Sequence, residues 1–254
     1  MILALPSAIY RKLSVLTASL VMATLTLQSN SAAAAVDYEH NFNSGKFSMT
    51  CSGNCPKVSS RYSRRGGYAM ESTISNSSSN KKRTEAILPG KIGKMQFGRD
   101  YWIGFSIYLP AGWTVPNKME ILAQIHRTPD KGEAGGQPPV AIYSGSGEWK
   151  VTSQEWGGKQ DWLLNSVYED VGRWTDFVIH YRPSYTSNGI LEVWKDGALV
   201  AKRSGANTAK DAIGPYFKMG IYKGTYSAPT KTVYHDELRI ASGPYASYAD
   251  VAPR

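Results

Sequence analysis

Three short segments carry polar side chains in pairs two residues apart: "RTE" at Arg83–Glu85, "QIH" at Gln124–His126 and "YFKMGIY" at Tyr216–Tyr222. On a β-strand, successive side chains point to opposite faces. Arg83 then shares a face with Glu85, Gln124 with His126, and Tyr216 with Lys218, Gly220 and Tyr222, while Thr84, Ile125, Phe217, Met219 and Ile221 turn the other way. Histidine and tyrosine can carry a proton, and arginine, lysine and glutamine can hold an anion. A phenol at its ordinary pKa of about 10 is almost wholly protonated at neutral pH, and Arg83 and Lys218 are cations that favour the charged form of a neighbour. Each segment taken singly has a plainer reading: an amphipathic outer face, a hydrogen-bonded surface pair, or a surface ion pair.

The elements that must position these residues read as strands. "YWIGFSIYLP", "WTDFVIHYRP", "GILEVWKDGALVAK", "YFKMGIYKG" and "TVYHDELRIA" alternate or run apolar at strand length between turn residues, the pattern of a β-sandwich. No long stretch repeats apolar residues at helical spacing. Asp196-Gly197 between Trp194 and Leu199 predicts a two-residue hairpin turn. "STISNSSSNKK" and "RTPDKGEAGGQPP" read as loops. Each adjoins one of the polar motifs, either as a wall of a substrate site or as a solvated connection. Gly220 leaves room for a ligand to approach the backbone.

Residues 1–35 read as a secretory leader. Arg11 and Lys12 precede the apolar run Leu13–Leu27, and the small-residue stretch "SNSAAAAVD" follows. That run falls short of the roughly 20 residues a bilayer span needs, and no second run follows. The exported chain is expected to begin near Val36 and to form one domain over residues 36–254. Cys51 and Cys55 are the only cysteines, and such a pair in an oxidising compartment forms a disulfide, whereas a metal site asks for further ligands nearby. So short a loop gives a modest stabilisation. Two of the 29 basic residues and none of the 20 acidic ones precede Val36, which leaves a net charge of +7 on the rest. A basic exported protein is drawn to polyanions. Export favours an acidic polysaccharide as partner over nucleic acid or a membrane, with the protein acting as a monomer.

Taken together, "RTE", "QIH" and "YFKMGIY" resemble the signature strands of the jelly-roll polysaccharide lyases, as found in alginate lyases of that fold, glucuronan lyases and the heparin lyase I type. "GRWTDFVIHYRPSYTSNGILEVWKDGALV" and "TVYHDELRIA" resemble the later strands of the glucuronan-lyase and heparin-lyase-I-like branch. The resemblance implies an all-β, single-domain, concanavalin-like β-jelly-roll with a concave cleft. It also implies a secreted enzyme that cuts a uronic-acid polymer by β-elimination, leaving an unsaturated sugar. The C5 proton is poorly acidic, so that reaction needs the neighbouring carboxylate neutralised and a base and an acid supplied. Carried over from the family pattern, Gln124 holds the carboxyl group with Arg83, His126 neutralises it or abstracts the proton, and Tyr222 is the acid and also a candidate base. Lys218, Glu85 and Tyr216 are expected to bind substrate. Ala86-Ile87 and Lys223-Gly224 depart from the polar residues that follow these motifs in alginate lyases. The departures place polyglucuronate first, alginate second and sulfated glycosaminoglycan third. No cofactor is required, although loop carboxylates and carbonyls leave room for a structural calcium ion.

The remaining histidines fit structural parts: His40 on an edge strand, His180 on an outer face, His235 in sheet packing. None has metal-ligand spacing. A β-sandwich glycoside hydrolase would need two carboxylates flanking the bond, and the adjacent Asp236 and Glu237 face opposite ways. A noncatalytic module holding an acidic polysaccharide is the competing class.

Overall fold

Alternation of apolar and polar residues builds two antiparallel sheets packed face to face. The computed structural model describes residues 36–75, 77, 80, 82–114, 120–155, 158–223 and 230–254. The leader expected over residues 1–35 lies outside them. In chain order the strands are β1 (Val36–His40), β2 (Thr50–Gly53), β3 (Lys57–Ser59), β4 (Ala69–Ile74) and β5 (Arg83–Ile87). There follow β6 (Tyr101–Tyr108), β7 (Glu120–Thr128), β8 (Val140–Gly145), β9 (Glu148–Glu155) and β10 (Gly158–Ser166). The last are β11 (Trp174–Arg182), β12 (Ile190–Lys195), β13 (Ala198–Ser204), β14 (Ile213–Lys223) and β15 (Lys231–Ser242), before a short helix α1 (Tyr248–Val251). One sheet runs β13-β12-β11-β6-β15-β4-β3, with β1 paired to β15. The other runs β10-β9-β8-β7-β14-β5-β2. This is the all-β jelly-roll sandwich that the motifs imply.

The core is the layer between the sheets. Phe217, Met219 and Ile221 on the inner face of β14 are fully buried there, and Phe217 meets Phe105 of β6 with ring centroids 5.3 Å apart. Asp196 and Gly197 both take positive φ, at 49° and 84°, which is the two-residue turn joining β12 to β13. Cys51 and Cys55 form the disulfide. Both loop expectations fail in part: Arg127 and Thr128 complete β7, and Ser72–Ile74, expected in a serine-rich loop, complete β4. Ile74 is fully buried, and the inward alternation of Met70, Ser72 and Ile74 outweighs the loop-like composition.

Strand β7 carries a bulge that the sequence does not announce. Its pairing with β8 shifts between Ile121 and Ala123, so Leu122 and Ala123 both pack into the inter-sheet core while Ile121 joins Ala141 and Tyr143 in a separate outer cluster. Beyond the bulge, Glu120 turns inward. It is fully buried and paired with Lys223 and Lys231, both at 2.8 Å. Regular alternation from Gln124 would have put this acid on the outer face instead.

His235 reaches the bulge from the opposite sheet. Its Nε2 lies 2.9 Å from the carbonyl oxygen of Leu122. A carbonyl only accepts, so Nε2 carries the hydrogen, and Nδ1 is buried without a hydrogen-bond partner. Burial lowers the pKa from 6.5 to about 4, against the opposing bond to Leu122. The folded protein therefore binds fewer protons here than the unfolded chain. Stability present above pH 6.5 is lost as pH falls through about 4. Replacing His235 with Leu is expected to lower the unfolding free energy by about 1–3 kcal/mol, the cost of stranding the Leu122 carbonyl. Urea titrations at neutral pH measure that loss, and repeated at acid pH they should show a shallower further decline than the wild type.

Candidate active site

The register of three adjacent strands places the polar motifs on one surface. Across β5 and β14, Arg83 opposes Tyr222 and Glu85 opposes Gly220. Across β14 and β7, Lys218 opposes Gln124 and Tyr216 opposes His126. Directly opposed residues share a face, so all seven singled-out side chains lie on the outer face of the second sheet. The intervening Thr84, Ile125, Phe217, Met219 and Ile221 are buried on its inner face.

Glu85 joins them. It is 1% exposed. One carboxylate oxygen accepts a hydrogen bond from the Gln124 amide nitrogen, and the other lies 3.1 Å from Arg83 Nε and 3.8 Å from Lys218 Nζ. A carboxylate only accepts, which fixes the orientation of the Gln124 amide and leaves its second N–H for another acceptor. Lys218 is itself 2% exposed. Burial raises the Glu85 pKa and lowers that of Lys218, each opposed by the partner charge. Glu85 thus sits beneath the surface as the common partner of three groups. Gly220 has φ of 143°, and a Cβ there would fall 2.3 Å from the Thr84 carbonyl oxygen. The glycine makes room for the β5 backbone.

Proton carriers flank this buried centre. Tyr216 and Tyr222 are separated along β14 by roughly 20 Å of strand, so His126 beside Tyr216 and Arg83 beside Tyr222 sit on opposite sides of Lys218 and Gln124. The Arg83 guanidinium carbon lies 4.2 Å from the Tyr222 ring centroid. On the other side His126 Nδ1 lies 2.8 Å from the carbonyl oxygen of Arg127. Nδ1 must donate, so Nε2 of the neutral ring bears a lone pair. Burial lowers the His126 pKa to about 4, helped by Lys218, Arg83 and Arg127. Tyr216 is bracketed by Lys94 and Lys218, whose ammonium groups lie 3.7 Å and 5.3 Å from its ring centroid. An arrangement of fixed donors, cations and two separated proton carriers can hold an anion while moving a proton.

Lys94, Tyr143 and Lys150 stand on or beside this face and were missed in the sequence. Tyr143 packs in the outer cluster with Tyr222, and burial and Asp161 push its pKa up to about 12. Ser146-Gly147, a positive-φ turn between β8 and β9, was the available signal, because it sets Lys150 opposite Tyr143. Elsewhere His180 stacks on Trp102 on the other sheet, between Asp100 and Glu192. His40 ends β1. Among the described residues, no group of three or more His, Cys, Asp or Glu side chains is arranged to hold a metal ion.

Comparison with known proteins gives the arrangement its context. The profile of the family described as polysaccharide lyase matches residues 31–239. An endo-β-1,4-glucuronan lyase from the fungus Trichoderma reesei is similar in structure, with a TM-score of 0.63 at 20% identity over 86% of this chain and 94% of its own. A substituted family 7 alginate lyase, solved in complex with substrate, has a TM-score of 0.54 at 15% identity over 74% of this chain and 84% of its own. Identities this low speak for the fold alone. No curated protein matches the chain by sequence.

Two outcomes check the geometry. The His126 ring is expected to titrate near pH 4 instead of 6.5, read from its Cε1 proton by NMR. Glu85→Gln leaves Lys218 and Arg83 without their counter-charge, and chemical denaturation should show a loss of about 3 kcal/mol.

Proposed function

The chain belongs to the polysaccharide lyase family, and from that membership we propose that it is an exported monomer that cleaves a uronic-acid polymer by β-elimination, polyglucuronate before alginate. The observation that carries this reading is the gathering of Arg83, Gln124 and Lys218 on one buried carboxylate between Tyr222 and His126. The Cys51–Cys55 disulfide supports export.

The reaction takes the proton from C5 of a uronate, forms the C4–C5 double bond and breaks the C4–O bond. The Arg83 guanidinium and the second amide N–H of Gln124 supply donors for the C5 carboxylate, where negative charge develops. Protein side chains carry this charge, and the reading asks for no cofactor. In a glucuronate ring with equatorial substituents, the C5 hydrogen and the C4 oxygen lie on the same side. One group can then serve both steps: Tyr222, as phenolate, takes the C5 proton and returns it to the departing oxygen. Where the C5 configuration is inverted, the two bonds point to opposite sides. Neutral His126, with its open Nε2, then takes the proton and Tyr216, whose ring centroid lies 5.7 Å from the imidazole, supplies another to the oxygen. That geometry keeps alginate as the second substrate.

Glu85 works through the residues that it holds. Tyr222→Phe is expected to lower the production of unsaturated uronate, followed by ultraviolet absorbance, by a factor of about 10²–10⁴ with the fold intact. Full activity in that variant would refute the assignment. Purified protein should be incubated with polyglucuronate, polymannuronate, polyguluronate, heparin and a neutral β-glucan while absorbance and reducing ends are followed. Both signals are expected on polyglucuronate. Reducing ends without absorbance would mean hydrolysis, and retention on immobilised polymer with neither signal would mean a binding module.

A further inference from the structure

Resting on the lyase reading, we propose that Lys150 is a uronate-binding residue that seats a sugar carboxylate three strands away from Tyr222 and makes cleavage depend on substrate length. The register lays an unbroken row across six strands: Arg83, Tyr222, Ile121, Tyr143, Lys150 and Leu163, each directly opposite the next. Neighbouring strands are about 4.8 Å apart, so Lys150 stands roughly 14 Å from Tyr222 across the sheet. A pyranose linked through its 1 and 4 positions advances a polysaccharide by close to one strand spacing. A chain lying across the strands therefore presents about one sugar per strand, and the third sugar beyond the one at Tyr222 arrives at Lys150.

The stretch between them carries no charge. Ile121 and Tyr143 form one apolar cluster with Ala141, and Tyr222 packs against it. The β7 bulge is what puts Ile121 in this row and turns Glu120 into the core. After Arg83, the next cation that the row offers is Lys150.

Its surroundings hold the ammonium in place. Lys150 Nζ lies 5.0 Å from the Tyr143 ring centroid and 3.4 Å from Asp161 Oδ2. Asp161 also pairs with Lys159 at 3.0 Å and accepts the Thr152 hydroxyl at 2.7 Å. Two ammonium groups share one carboxylate, so the cluster keeps a net positive charge for an incoming carboxylate. Leu163, 67% exposed, ends the row on the edge strand β10 and offers an apolar surface to a sugar face.

The test is kcat/KM measured on size-defined oligomers of the uronate polymer that the wild type cleaves. Wild-type values should step up once the oligomer spans from Tyr222 to Lys150. Lys150→Gln should remove that step, lowering kcat/KM on long oligomers about tenfold through KM and leaving short ones unchanged, with Lys150→Arg restoring it. Asp161→Asn, which removes the competing carboxylate, should lower KM on the long oligomers. Equal loss at every length in Lys150→Gln, no loss at any length, or a higher KM in Asp161→Asn would overturn the assignment. Absence of unsaturated product from the wild type on every uronate polymer would instead defeat the lyase reading itself.

Discussion

A single buried carboxylate organises this protein's outer sheet face. Glu85 draws Gln124 from β7, Lys218 from β14 and Arg83 from its own strand onto one anion. A buried Lys218 and a half-buried Arg83 drawn to one place on a positive surface would repel each other, and the lysine would resist burial. Their shared counter-ion permits both to stay, and it sets the amide of Gln124 in one orientation. The geometry that an anionic sugar would meet is thus made before the sugar arrives, in a place where water contributes little screening.

The same economy of charge recurs at Glu120. A one-residue bulge converts what regular alternation would make an outward-facing acid into the buried partner of Lys223 and Lys231. Glu85 and Glu120 therefore both serve beneath the surface, and the positive character above them comes from where the backbone sends these two acids. His235 on β15 ties the first sheet to this local irregularity through Leu122. The sheet opposite the site consequently has a part in its shape, although it presents no side chain to it.

Much of this was legible in the residues. The alternation in "YFKMGIY" separated core from surface, since Phe217, Met219 and Ile221 are fully buried, and Asp196-Gly197 marked its hairpin. The bulge was hidden because Leu122 and Ala123 are both apolar, and nothing in their types says that the two share a face. Glu85 was legible as a charged neighbour of Arg83 but not as a buried one, because its depth depends on strands distant in sequence. Tyr143 and Lys150 escaped for a related reason: a row across a sheet exists only once the register of every hairpin is set. Gly220 was noticed, but the pressure on it comes from β5, which local sequence does not contain.

The short covalent loop between Cys51 and Cys55 has a bearing beyond its own stability. Within it, Gly53 packs so closely on β5 that a Cβ would lie 2.5 Å from the Arg83 carbonyl oxygen, and the Asn54 backbone N–H donates to that same oxygen at 3.0 Å. The loop is therefore a brace behind the guanidinium, fastened by an oxidation and not by folding alone. A chain produced where thiols stay reduced could have every strand in place and still hold Arg83 less firmly. Maturation would then be read out as catalytic quality sooner than as loss of fold.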